Sequence, residues 1–423
     1  MGLKRMNIYS INKLFCILFC MWFAWPYATH KLGMYFGIVI SFLWVITTGQ
    51  FMLIKRWSLD LGAILVFFIT LIPYLLTGEF KYSSLNTVST LGTFYLFFLG
   101  IFMFHYYNYY KKDYPFLGKA ATITIIFYLV GGIQTYIGLL NHPLASRILA
   151  QNTNPQAQEM FLSLGIGGFG YIYSAVFLSI MIVYPIIKQR KNIPNKIIVL
   201  LWLTNIVLLS MIIKASYTFA ILITVSGCIL VLLIKNKFLL YSLLMVTSVF
   251  IIIIPQYYIA GLFLNIAELF SNNVIVKEKI IDFSTTLSGG YSTNSQTFNR
   301  IDLYLSSLRT FLKYPFFGLN ASFGDTNSII GDHSGWFDMM AYFGLFVVLP
   351  MFSAIGLSLK KTLRLHKRKD SFMYLLIIYV FFIVYGFINP ILYVYNIGLV
   401  VYFIVPSIPY IENYFNRNCE KIN

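Results

Sequence analysis

The stretch Asn299 to Phe346, NRIDLYLSSLRTFLKYPFFGLNASFGDTNSIIGDHSGWFDMMAYFGLF, gathers Arg300, Arg309, Lys313, His333 and several aspartates between hydrophobic runs. It then passes straight into an apolar run at Trp336. Around it the chain is 59% hydrophobic and 11% charged over 423 residues, which excludes a soluble protein of ordinary composition. Lipid offers no partner to backbone polar groups, so a chain crosses it as helices or as a closed barrel. Apolar runs of about 20 residues match helices, not the roughly 10-residue alternating strands of a barrel. The expected fold is all-α, a polytopic integral membrane protein holding one polar outer loop.

Hydropathy and loop punctuation place twelve spans, at about residues 10–27, 34–54, 59–77, 86–106, 118–140, 164–187, 197–213, 217–234, 238–260, 336–358, 371–389 and 391–411. Spans one to nine thus fill residues 1–259, the large outer loop residues 260–335, spans ten to twelve residues 336–411, and a cytoplasmic tail residues 412–423. Only Lys214, Ala215 and Ser216 separate spans seven and eight. Lys4, Arg5 and Lys13 precede the first run with no small-x-small cleavage site, which reads as a retained span. No internal repeat is visible, nor an inverted pair of glycine- or proline-broken helices of the kind that marks many transporters. Cys16, Cys20 and Cys228 fall in spans and Cys419 in the tail, so neither disulfides nor a metal site is expected.

Orientation follows from the lysines and arginines, because short basic loops stay cytoplasmic. With the N-terminus inside, the cytoplasmic segments hold 22 basic and five acidic residues and the outer segments nine of each, so the formal net charge of +17 lies on one face. Both termini are cytoplasmic in this arrangement. Anionic headgroups are sufficient reason for that charge, so nucleic acid is not an expected partner.

The outer loops carry the candidates. Asn141 to Ser163, with His142, Arg147 and Glu159, reads as a surface loop or partly ordered lid. Ser271 to Phe298 is polar, contains Gly289-Gly290, and reads as mobile. Beyond it, Ile301, Leu305, Leu308 and Leu312 recur at helical spacing opposite Asp302, Ser306, Arg309 and Lys313, the pattern of an amphipathic helix. Such a helix lies in the headgroup plane or covers a cavity between spans. Pro315 ends it and Gly318 permits a turn. Asp325, Asp332 and His333 follow, with Trp336 expected at the membrane interface.

These residue types suit a lipid-linked phosphate donor and a sugar acceptor. Arginine matches phosphate oxygens with paired donors, so Arg300 and Arg309 are the candidate phosphate ligands, with Lys214 as a third cation. Histidine can take a proton from a sugar hydroxyl, which makes His333 the candidate base, oriented by Asp332 or Asp338. On a helical wheel Arg300 and Arg309 stand about 180° apart, so they act separately unless Arg300 precedes the helix. The plain alternatives are a capping or interfacial His333, a solvated Arg309 and Lys313 stripe, a turn Asp332, and an Asp338 paired structurally with a cation such as Lys214. Asp60 and His105, at cytoplasmic ends, carry no expected catalytic role.

From Asn299 onward, an arginine opening a loop helix, the Tyr-Pro-Phe-Phe-Gly turn, and then His-Ser-Gly-Trp-Phe-Asp-Met-Met-Ala-Tyr-Phe-Gly entering a span resemble the bacterial O-antigen polymerase and ligase superfamily. The layout, with one large outer loop late in the chain, agrees. The resemblance implies metal-independent glycosyl transfer outside the cytoplasmic membrane, from undecaprenyl-diphosphate-linked oligosaccharide and without a cofactor. His333-Ser334 with Asp338 downstream resembles the Wzy-type polymerase branch, whose acceptor is another lipid-linked unit, more than the ligase branch, whose acceptor is a lipopolysaccharide core sugar. By position, Arg300 and His333 match the family's loop arginine and histidine. Lys214 stands where the family often has arginine. A chain-length regulator and a flippase of the same pathway are the partners implied; a flippase activity of this chain is the competing reading.

Overall fold

The computed structural model describes residues 7–49, 58–76, 87–151, 154–233, 256–271, 274–287, 296–319, 329–391 and 394–419. Among them every regular element is helical and there is no β-strand. Eight helices are long and apolar enough to cross a membrane: Pro26–Thr48, Ser89–Tyr110, Tyr114–Asn141, Phe169–Lys188, Asn195–Lys214, Gly335–His366, Ser371–Ile388 and Tyr395–Asn416. Ile8–Ala24, Leu59–Tyr74 and Thr218–Leu233 are apolar but shorter. The expected ninth span falls largely outside the described residues, where only the helix Gln256–Leu269 is seen.

The chain divides into two compact units. The first comprises Met1–Ala215, Leu349–Ile383 and Ile391–Asn423. Its interior is aromatic and closely packed, because between helices in lipid it is contact, not water exclusion, that holds them together. Trp22 stacks on Tyr395 with ring centroids 5.5 Å apart. A Cβ on Gly398 would stand 2.4 Å from the Phe97 carbonyl, so glycine there sets how near two helices approach. One buried polar chain links three helices: Trp44 Nε1 donates to the Tyr107 hydroxyl at 3.0 Å, which donates to Asn12 Oδ1 at 2.6 Å. The loop expected at Asn141 to Ser163 holds two short helices, Ala145–Gln151 and Pro155–Ser163. Gln134 pins its end, accepting from Trp25 Nε1 at 2.9 Å and donating to the Leu164 carbonyl at 3.0 Å.

Asp60 and His105 form a buried ionic cluster in this unit. His105 Nε2 lies 2.8 Å from Asp60 Oδ2, and Lys361 Nζ lies 2.7 Å from Ser58 Oγ and 3.1 Å from His105 Nδ1. Asp60 is 2% exposed, so its charge depends on these partners. Removing the carboxylate in Asp60→Ala strands Lys361 beside a hole, with an expected loss of about 3 kcal/mol of stability. The thermal midpoint of the detergent-solubilised protein measures it; an unchanged midpoint would show that the cluster does not hold the helices.

The second unit comprises Ser216–Val348 and Val384–Pro390. It opens at Ser216, whose φ of 58° makes the tight turn between the helices Asn195–Lys214 and Thr218–Leu233. Two expectations need correction here. Part of the polar stretch Ser271 to Phe298 is the helix Val274–Leu287, whose Val276 and Ile280 bury against Ala267; four-residue apolar spacing outweighed the polar composition. Gly289 and Gly290 lie outside the described residues. Among the described residues two helices break at glycine, at Gly33 (φ 71°, ψ 174°) in the first unit and at Gly344 (φ 63°, ψ −176°) in the second. Finally, Trp336, expected to sit at the membrane interface, does not present its ring outward: it is 5% exposed, with its indole against Gly386.

Candidate functional site

The site is built where the helix Gln296–Lys313 meets the start of the helix Gly335–His366. The first helix and residues 335–348 of the second belong to the second unit. Ser334 begins the second helix: its Oγ accepts from the Phe337 amide at 3.2 Å, satisfying one of the donors that a helix start leaves without a partner. Asp338 completes the cap from one turn on, its Oδ2 accepting from the Ser334 amide at 2.7 Å. This is a capping box with its acid one position later than usual.

The other oxygen of Asp338 takes the Ser307 hydroxyl at 2.5 Å. Ser307, seated on the first helix, accepts in turn from the Gly331 amide at 2.9 Å. A chain of hydrogen bonds therefore runs from the Ser334 amide through Asp338 and Ser307 to Gly331. Ser307, Ser334 and Asp338 are each 0% exposed, so every link lies away from water and each lost partner would cost the full desolvation of the other. Asp338, expected to orient His333 or else to pair with a cation, has both oxygens occupied by uncharged donors, the Ser307 hydroxyl and the Ser334 amide.

His333 sits at the open edge of this chain and is half-buried. Its Nδ1 is 2.8 Å from the Gly331 carbonyl. A carbonyl only accepts, so Nδ1 carries the hydrogen and the lone pair of a neutral ring is on Nε2. Gly331 thus receives Ser307 on its amide and fixes the histidine through its oxygen. A Cβ on Gly331 would stand 2.4 Å from the Leu303 carbonyl, so only glycine brings this peptide so near the helix. Asp332 has a left-handed φ of 55°, which aspartate tolerates better than most residues. Its Oδ1 accepts from the Tyr342 hydroxyl at 2.6 Å. Loss of water around its carboxyl raises the pKa, opposed by the Tyr342 hydrogen bond and the His333 ring.

The break at Gly344 is filled by the turn after the first helix. The Leu345 amide donates to the Pro315 carbonyl at 2.8 Å and the Phe346 amide to the Phe316 carbonyl at 3.0 Å. Gly318 (φ 69°) lies against Gly344, where a Cβ would come within 2.5 Å of the Gly318 nitrogen. The Tyr-Pro-Phe-Phe-Gly turn and the Tyr-Phe-Gly entry are therefore two halves of one lock.

The helix begins at Gln296, so Arg300 lies inside it and shares a register face with Ser307, seven residues on. Arg309, on the opposite side of the wheel, is exposed, as is Lys313. The two arginines therefore serve different faces. The leucine stripe is not the packed one: Leu305 is 39% and Leu312 67% exposed, while Ser307 and Thr310 are buried. Tyr304 and Thr310 reach backbone carbonyls, Ile388 at 3.0 Å and Ile329 at 2.9 Å, and those bonds choose the packed face. Lys214 is exposed at the end of its helix in the first unit, and Asp325 lies outside the described residues. Among the described residues no group of three or more His, Cys, Asp or Glu stands close enough to hold a metal ion.

No protein-family model matches this sequence, and no curated protein does either.

Sequence reasoning missed Ser307, Gly331, Tyr342 and the break at Gly344. Two changes test the arrangement. Ser307→Ala leaves the Gly331 amide and one oxygen of Asp338 without this partner, with an expected loss of about 1–3 kcal/mol. Hydrogen exchange across residues 329–338 then quickens; unchanged exchange would remove Ser307 from the chain. Gly344→Ala forces a side chain into a left-handed, occupied position, with an expected cost of roughly 1–3 kcal/mol before the clash itself, and a melting midpoint equal to that of the parent would contradict the lock.

Proposed function

We propose that the chain is a membrane glycosyltransferase, a polymerase that joins undecaprenyl-diphosphate-linked oligosaccharide units into a surface polysaccharide on the outer side of the bacterial cytoplasmic membrane. The observation that carries this reading is His333, held through Nδ1 so that Nε2 offers a lone pair at a half-exposed edge. In the reaction, an acceptor sugar hydroxyl attacks the anomeric carbon of the donor. The bond from that carbon to the diphosphate breaks, undecaprenyl diphosphate leaves with the electron pair, and the hydroxyl proton passes to His333 Nε2.

The cations of the loop helix serve the anionic parts of the substrates. Arg300, on the register face of Ser307, is assigned to the leaving diphosphate, and Arg309, on the far face, to approaching headgroups. Asp332 holds the turn that presents His333 and offers an acceptor to a sugar hydroxyl. Asp338, whose oxygens are both occupied, is a positioning residue for His333 and not the base. A twelve-span arrangement with both termini in the cytoplasm, and with lipids, a chain-length regulator and a flippase as partners, belongs to the same proposal.

The two glycine-broken helices favour a second reading, a flippase of lipid-linked oligosaccharide, since such breaks mark binding sites in many transporters. Against it, the freed amides after Gly344 go to Pro315 and Phe316 and so face no ligand. Deleting the gene and restoring it as parent, His333→Ala or Arg300→Ala at equal protein levels separates the two readings. The polymerase predicts a full size ladder of surface glycan from the parent and single repeat units from either variant. Loss of all surface glycan, single units included, would support transport, and a full ladder from His333→Ala would remove the histidine from the reaction.

A further inference from the structure

The helix Gln296–Lys313 presents three arcs. At about 100° per residue, one arc carries Ser307 and Thr310 and packs on its own unit, a second carries Leu305 and Leu312, and a third carries Asp302, Arg309 and Lys313. The second and third arcs are outward. An apolar arc beside a charged one is the pattern of a helix lying in a bilayer interface. The apolar surface does not stop where the helix ends. Phe316 is 66% and Phe317 58% exposed, and the Phe317 ring lies 5.8 Å from that of Phe346, itself 52% exposed on the membrane helix Gly335–His366. The leucine arc is thus continuous with a wall that faces lipid.

The turn is tied to that wall, because the carbonyls of Pro315 and Phe316 accept from the amides of Leu345 and Phe346.

We infer that the loop helix and its Tyr-Pro-Phe-Phe turn are seated in the lipid leaflet on their own side of the membrane. Leu305, Leu312, Phe316 and Phe317 enter the acyl boundary, and Arg309 and Lys313 stay among the headgroup phosphates. The occupant of this surface is the bilayer itself, not a second protein chain. The helix then sits at the height where a lipid-linked headgroup emerges, whichever reaction follows.

Spin labels test this without any assay of glycan. In the full chain with its native cysteines replaced, Leu305→Cys, Leu312→Cys and Phe316→Cys are labelled and compared with Asp302→Cys and Arg309→Cys. The proteins are held in nanodiscs of phosphatidylethanolamine and phosphatidylglycerol. All five positions lie in the exposed or outward arcs, so the label displaces no core side chain. The expected result is a ratio of oxygen to aqueous nickel-chelate collision several-fold higher at the first three positions. Equal ratios at Leu312→Cys and Arg309→Cys would overturn the inference by placing the helix in water. Exclusion of both reagents at Leu312→Cys would overturn it in favour of a protein partner. Either failure leaves the glycan-ladder test of the reaction untouched.

Discussion

The carboxylate of Asp338 is the interaction on which the second unit depends. It is buried at the first turn of a membrane helix, where an unpartnered charge is costly, and its oxygens are taken by the Ser334 amide and the Ser307 hydroxyl. One of these bonds starts the helix and the other recruits the loop helix to it. Ser307 then spends its remaining capacity on the Gly331 amide, which leaves the Gly331 carbonyl to select the tautomer of His333. The ring nitrogen that carries the lone pair is thus determined two residues and three hydrogen bonds away from the carboxylate.

A second constraint acts through the solvent. Lipid cannot satisfy the amides released where a helix breaks, so a break persists only when other backbone fills it. At Gly344 the carbonyls of Pro315 and Phe316 do so. The loop helix is therefore fastened at two points, by Ser307 in its second half and by the turn that follows it. Such fastening suits a group that must present a lone pair in a fixed direction, since a transfer reaction loses rate steeply when the attacking geometry loosens.

Much of the fold was legible because hydrophobic length is a direct consequence of bilayer thickness. Eight of the expected spans coincide with described helices long and apolar enough to cross a membrane and three more with shorter apolar helices, and the division at Ser216 falls at a turn. The stop at Pro315 and the turn at Gly318 were legible from backbone chemistry alone. What escaped was tertiary. The leucine periodicity of the loop helix identified an apolar face correctly but not its neighbour, because a helix beside a membrane has two apolar environments to choose from. The packed face carries Ser307 and Thr310, which hydropathy ignores. Ser334 and Asp338 did leave a signal, a helix cap written one residue longer than the usual box, and reading it would have given Asp338 its structural role. Gly344 left none, since glycine is common inside membrane helices.

The central claim is that this one chain transfers a glycan between lipid-linked units. The most direct measurement is to reconstitute the purified protein in liposomes with undecaprenyl-diphosphate-linked oligosaccharide and a chelator, and to separate the products by size. The account predicts lipid-linked glycans of two or more units together with released undecaprenyl diphosphate. Donor that only redistributes between leaflets, with neither longer glycan nor free diphosphate, would contradict it.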